Sequence, residues 1–173
     1  MIIDSNSSRS SDMICHYLKN NVKTSNILIF CIGTNFSIED SLGPLIGTFL
    51  KEKNIDAPIF GTLKEPITTK NYEDTIKKIK KDYSDYFVIA IDSCLDKIDN
   101  IEKIHISNEQ LKPKLESNEE LISFGDISIK GVVNILSNFD SHILHDTELK
   151  RVYYMSKVIS QGIYEFLNLF EYV

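Results

Sequence analysis

The chain has 173 residues, enough for one domain with a real hydrophobic core. Hydrophobic residues make up 42% and charged residues 25%, as in an ordinary globular protein. A formal net charge of -6 opposes nonspecific binding to nucleic acid or to an anionic membrane, and no apolar run approaches the roughly 18 residues a membrane span needs.

Residues 1–10 are rich in serine and have neither a basic stretch nor an apolar core, so a flexible leader is expected ahead of a single domain over 11–173. Ser11 or Asp12 can cap a helix that runs through Asn20, with Met13, Ile14, Tyr17 and Leu18 on one face. Asn26 to Ile32 is a continuous apolar run, the mark of a strand buried on both faces. Gly33 opens a polar loop, and a helix follows from about Ser41 to Lys53. Asp40 stands at its N-cap position, and Pro44 is tolerated in its first turn. Ala57 to Gly61 reads as a short strand. Tyr72 to Lys81 reads as a helix with Ile76 and Ile79 inward and its lysines in solvent.

Tyr86 to Ile91 is a second buried strand, with Asp92 directly after its carboxyl end. Ile101 to Ile106 alternates apolar and polar residues, as a strand near a sheet edge does. Asn108 to Leu121 is polar and holds Pro113, so it reads as loop. Asp126 to Ile135 reads as a strand, and Asp146 opens a long helix carrying Leu149, Val152, Tyr153, Val158, Ile159, Ile163, Phe166 and Phe170 at helical spacing. Strands alternating with helices predict an α/β fold with a mostly parallel sheet covered on both faces, and its sites gather at the carboxyl ends of the strands.

Both Asp40 and Asp92 fall in such places. Singly, each has a plain structural explanation: an acid at a helix start is a cap, and an acid after a strand bonds loop amides. Together, on neighbouring strands, they would face one crevice and push their pKa values apart, so that one keeps a proton while the other activates water. The segment from Gly33 to Pro44 lacks the GxGxxG and Gly-Lys-Ser/Thr spacings, so no nucleotide and no other cofactor is expected.

The remaining chemistry-bearing residues are less pointed. Cys15, Cys31 and Cys94 form no CxxC pair and fit a reducing, intracellular compartment. Cys94 lies near Asp92 but has no evident histidine partner. His142 and His145, three apart, lack the acid of a HExxH site, and His105 reads as structural. Asp126 is either a third acid near the site or a residue entering a strand. Two carboxylates without a histidine make a poor transition-metal site, so no bound metal is expected.

Several blocks of the chain recur together in one family. Cys31-Ile32-Gly33-Thr34, Asp40-Ser41-Leu42-Gly43-Pro44, Gly61-Thr62-Leu63 with Glu65-Pro66, Ala90-Ile91-Asp92-Ser93-Cys94, and Gly125-Asp126-Ile127 through Gly131-Val132-Val133-Asn134 resemble the YyaC family of sporulation proteins in order and spacing. That family looks like a short relative of the germination protease and of the hydrogenase maturation proteases. The resemblance implies a three-layer α/β/α fold of the HybD-like, phosphorylase/hydrolase-like kind. It also implies that Asp40 and Asp92 match the acid pair proposed for metal-free catalysis in the germination protease. In the maturation proteases the matching acids, with a histidine, contact nickel.

The chain departs from the family at Pro113-Lys114, where Pro-Gly is usual, and at Asn35, where Asp is common. The expectation that follows is a germination-protease-like peptide hydrolase with Asp40 and Asp92 catalytic and with Gly33, Thr34, Asn35 and Asp126 contacting substrate. Its partner would be a peptide or a small spore protein, in the cytoplasm of the sporulating cell or the spore interior, with room for a homo-oligomer. The rival expectations are a noncatalytic peptide-binding or regulatory spore protein, and a metal-dependent maturation-type protease.

Overall fold

Two apolar runs build the centre of the sheet in this computed structural model, which describes residues 1–113, 121–136 and 147–169. Ile27–Cys31 (β2) is buried at every position, and Phe87–Asp96 (β4) lies parallel beside it, with Ile29 opposite Ile89 and Cys31 opposite Ile91. A strand covered on both faces has no solvent side to mark with polar residues, hence the unbroken apolar runs. Ile127–Ile135 (β6) pairs parallel with the other edge of β4, and Ile59–Phe60 (β3) pairs parallel with β2. Lys103–Ser107 (β5) runs antiparallel to β6, burying Ile104 and Ile106.

The outer edge of β5 is taken by Ile2–Asp4 (β1), which completes a six-stranded sheet in the order β1-β5-β6-β4-β2-β3. Residues 1–10 are therefore not a loose leader. Ile3 is buried in the core, and the Ser10 hydroxyl donates to the carbonyls of Asp4 and Ser7. Composition misleads here because one buried isoleucine and a ladder of backbone bonds anchor a strand however polar its neighbours are.

Helices cover both faces, as expected of an α/β/α sandwich. Ser10–Asn21 (α1), Leu42–Glu52 (α2) and Leu149–Asn168 (α4) pack against one face, where Ile27, Ile29 and Cys31 point. Tyr72–Asp82 (α3) packs on the other, where Leu28 and Phe30 point. There the Phe30 ring meets Tyr72 and Phe124 at 5.7 and 5.0 Å between centroids. Helix α1 starts at Ser10, ahead of the expected cap, and Met13 is exposed. In α4 the buried stripe runs through Val152, Met155, Ile159, Ile163 and Phe166, while Leu149 and Tyr153 face solvent. The expected helix start at Asp146 and its Phe170 lie outside the described residues.

The connections explain where a site can form. From β2 the chain runs through α2 on one face to β3, then returns through α3 on the opposite face to β4. The chain leaves the carboxyl ends of β2 and β4 toward opposite sides of the sheet, to β3 and to β5, the switch point at which open α/β sheets form a crevice.

Candidate active site at the carboxyl ends of β2 and β4

Asp40 is carried into this crevice by backbone contacts. After Cys31 the chain bends away from β4: Ile32 bridges to Ile67, and the Gly33 amide donates to the Ile67 carbonyl (2.9 Å). Gly33 has φ near 142°, and a Cβ there would lie 2.0 Å from the Asp40 carbonyl oxygen, so only glycine lets the two segments touch. The Thr34 amide then donates to that same carbonyl (3.0 Å). Asn35 clamps the loop from outside, its side-chain amide donating to the Leu63 carbonyl (3.1 Å). Gly33, Thr34 and Asn35 thus lie in the loop that positions Asp40.

Asp40 is not a helix cap. It sits inside a 3-10 turn, Glu39–Ser41, that runs straight into α2. The cap residue of α2 is Ser41, which makes no capping bond and donates its hydroxyl to the Ile38 carbonyl (2.8 Å). The turn already holds helical backbone angles, so the helix entry needs no side-chain cap, and Asp40 stays exposed at the mouth of the crevice.

Asp92 lies inside β4 rather than beyond it, a correction with a simple cause. Strand β6 continues to Ile135 and keeps β4 paired as far as Asp96, whereas β2 has already ended opposite Ile91. By the alternation of Val88 and Ala90, Asp92 points toward the α3 side, where its charge acts on Tyr72. The residue is half-buried, but its carboxyl group is packed round by protein. Burial, with the neighbouring charge of Asp40, pushes its pKa up from 3.8 to about 7. The Ser93 amide, donating to Oδ1 (2.8 Å), and the charge of Lys130 pull the other way.

Asp126 is not part of this site. Its Oδ2 accepts the Val88 amide (2.8 Å) at the amino end of β4, while its own amide donates to the Val88 carbonyl. Lys130, the residue opposite Asp92, lies four positions further along, or about 13 Å at ~3.3 Å per residue. It enters a strand and satisfies that strand's neighbour. His105 lies on β5 opposite Lys130, a further strand away from Asp92. His142 and His145 lie outside the described residues, as does Lys114.

Sequence reading missed two features. Lys130 stands directly across the ladder from Asp92, a charged residue amid the apolar ones of β6, and that placement was its only signal. Glu39 accepts hydrogen bonds from Asn134 Nδ2 (2.6 Å) and the Thr147 hydroxyl (2.5 Å), with Asn134 and Thr147 both buried. This ties the turn holding Asp40 to the end of β6 and the approach to α4. Only three-dimensional proximity could reveal it, because 95 and 108 residues separate the partners.

A resident metal would need more donors. Among the described residues no group of three or more His, Cys, Asp or Glu side chains is arranged to hold an ion. Glu39, the acid nearest in sequence, is committed to Asn134 and Thr147.

The chain is similar to proteins already known. The crystal structure of the NiFe hydrogenase maturation protease HycI from Thermococcus kodakarensis KOD1 aligns with 86% of this chain and 99% of its own, at 16% identity and a TM-score of 0.49. The "Uncharacterized protein YyaC" of Bacillus subtilis (strain 168) is 36% identical over 138 residues, spanning 79% of this chain and 67% of that protein. The family model described as "Protein of unknown function (DUF1256)" matches residues 2–162, and the chain belongs to that family.

Proposed function

We propose that the chain is a peptide hydrolase in which Asp40 and Asp92 act as one acid–base pair. The observation that carries this reading is that Asp40, in the turn that follows β2, lies close enough to Asp92 of the neighbouring parallel strand β4 for its charge to help burial hold a proton on Asp92. Near neutral pH Asp92 can then donate a proton, and Asp40, exposed to solvent, is the group assigned to accept one.

In the reaction Asp40 takes a proton from water as the water oxygen attacks the peptide carbonyl carbon. Asp92 protonates the carbonyl oxygen as the tetrahedral intermediate forms. On collapse the C–N bond breaks, the proton held by Asp40 passes to the leaving nitrogen, and Asp92 regains its own. No step needs a metal. The sporulation setting, within the cytoplasm of the sporulating cell or the spore interior, rests on the resemblance to the YyaC family, and a peptide or small spore protein is the proposed substrate.

The test is cleavage of pooled peptides by folded protein across a range of pH. The kcat/KM profile should be bell-shaped, with its alkaline limb near the Asp92 value of about 7. Asp40→Asn and Asp92→Asn should each lower it by about 100-fold or more, and the double variant should be little worse than the poorer single one. Turnover that survives both substitutions would place the chemistry elsewhere.

A further inference from the structure

Two helices close on β6 beside the acid pair. A Cβ on Gly131 would lie 2.3 Å from Leu42 Cδ2, in the first residue of α2, and 2.5 Å from Met155 Sδ of α4. With no side chain at that position, both helices approach the strand closely. Glu39 stands just ahead of α2, and Thr147 just ahead of α4.

The pairing of β4 with β6 supplies a third partner. Up to Cys94 opposite Val132 the two strands alternate in step, so Asp92 and Lys130 share the α3 side. The register then shifts: Leu95 stands opposite Asn134, and Val133 is passed over. This bulge turns Asn134 away from the α3 side, to the face of Ile89, Ile91 and Val133 that α1, α2 and α4 cover. There Asn134 Nδ2 donates to Glu39 Oε1 (2.6 Å) and to Thr147 Oγ1 (3.0 Å), and the Thr147 hydroxyl donates to the same Glu39 oxygen (2.5 Å). The Ile135 amide donates to Asn134 Oδ1 (2.8 Å), which fixes the amide the right way round. Donors on a carboxylate make the stronger kind of hydrogen bond.

Asp40 follows Glu39 in the same turn, which the Thr34 amide holds from the β2 side through the Asp40 carbonyl (3.0 Å). Glu39 holds it from the β6 side. Strand β4, which carries Asp92, lies between β2 and β6, so the turn is fixed from both neighbours of that strand. We propose that Glu39 is a positioning residue of the acid pair: clasped by Asn134 and Thr147, it sets where Asp40 stands relative to Asp92. A clasp between α2 and α4 alone would steady the fold and do nothing else; a positioning clasp also sets how strongly the two acids interact. Its catalytic meaning rests on the hydrolase reading; its effect on that interaction does not.

The test is a carbon-13 titration of the Asp92 carboxyl in the full-length protein. Thr147→Val is the main variant, because it removes a donor without changing charge. Thr147→Val and Glu39→Ala should each lower the Asp92 midpoint by most of the amount that Asp40→Asn lowers it. Glu39→Gln keeps an oxygen for both donors and should stay near wild type. Added to Asp40→Asn, Thr147→Val should shift the midpoint no further, and Gly162→Ala, which strains α4 against α1, should not shift it at all. Folded Thr147→Val or Glu39→Ala protein with the wild-type midpoint would overturn the proposal. So would a shift that persists in the Asp40→Asn background, an equal shift in Gly162→Ala, or Glu39→Gln behaving as Glu39→Ala. If Thr147→Val does not fold, Glu39→Ala, at a half-buried position, carries the comparison. In peptide cleavage Thr147→Val should lower kcat by about tenfold or more with KM little changed. A midpoint that moves as expected, with no cleavage by wild type, would keep the positioning role and overturn the hydrolase reading. Cleavage that needs both acids but is indifferent to Thr147→Val would do the reverse.

Discussion

At the scale of single residues, Asp92 combines two demands that oppose each other: its carboxyl is surrounded by protein, yet its chemistry needs a charge that changes. Below pH 3.8 the group is protonated in both folded and unfolded chains and contributes nothing to pH dependence. Between 3.8 and about 7 the unfolded chain loses this proton first, so stability falls as pH rises; above about 7 the penalty is constant. It amounts to at most about 4 kcal/mol at ~1.4 kcal/mol per pH unit. Asp92→Asn keeps an oxygen for the Ser93 amide and carries no charge. The variant should therefore unfold at higher denaturant concentration than wild type at pH 8, with the gap closing toward pH 4. A variant less stable than wild type at pH 8 would mark Asp92 as a structural carboxylate.

At the scale of elements, glycines show how closely the site depends on the fold. Gly162 of α4 lies where a Cβ would come within 2.7 Å of Ile14 Cβ and the Ser11 carbonyl oxygen of α1. Gly162→Ala should cost about 1–3 kcal/mol in urea unfolding while leaving the titration of Asp92 in place. Gly33→Ala, by contrast, pushes on the Asp40 carbonyl itself and should lower the Asp92 pKa by moving the Asp40 charge away. Equal effects of the two variants on that titration would break the link between the β2–α2 loop and the acid pair.

The elements themselves were largely legible in the sequence: β2 and β4 because two-sided burial leaves an unbroken apolar run, α3 because Ile76 and Ile79 repeat at helical spacing. The sequence places Asp40 after β2 and Asp92 after the apolar run of β4, and the structure sets those two strands side by side, with β4 running on past Asp92. What was not legible depends on long-range pairing. Strand β1 exists because β5 has a free edge, β4 runs past Asp92 because β6 does, and Asp126 looked like a third acid until the ladder placed it at the other end of the sheet.

At the scale of the whole molecule, the chain leaves β2 and β4 toward opposite sides of the sheet, and among the described residues β6 pairs with β4 past Asp92 while β2 does not. Among the described residues no helix is long and apolar enough to cross a membrane. Everything in this account turns on one coupled proton. The direct measurement is a carbon-13 NMR titration of the Asp92 carboxyl in wild type and in Asp40→Asn. The account predicts a midpoint near 7 in wild type and a lower one once the Asp40 charge is removed. An Asp92 that titrates near 4 in wild type, or whose midpoint does not move in Asp40→Asn, would contradict it.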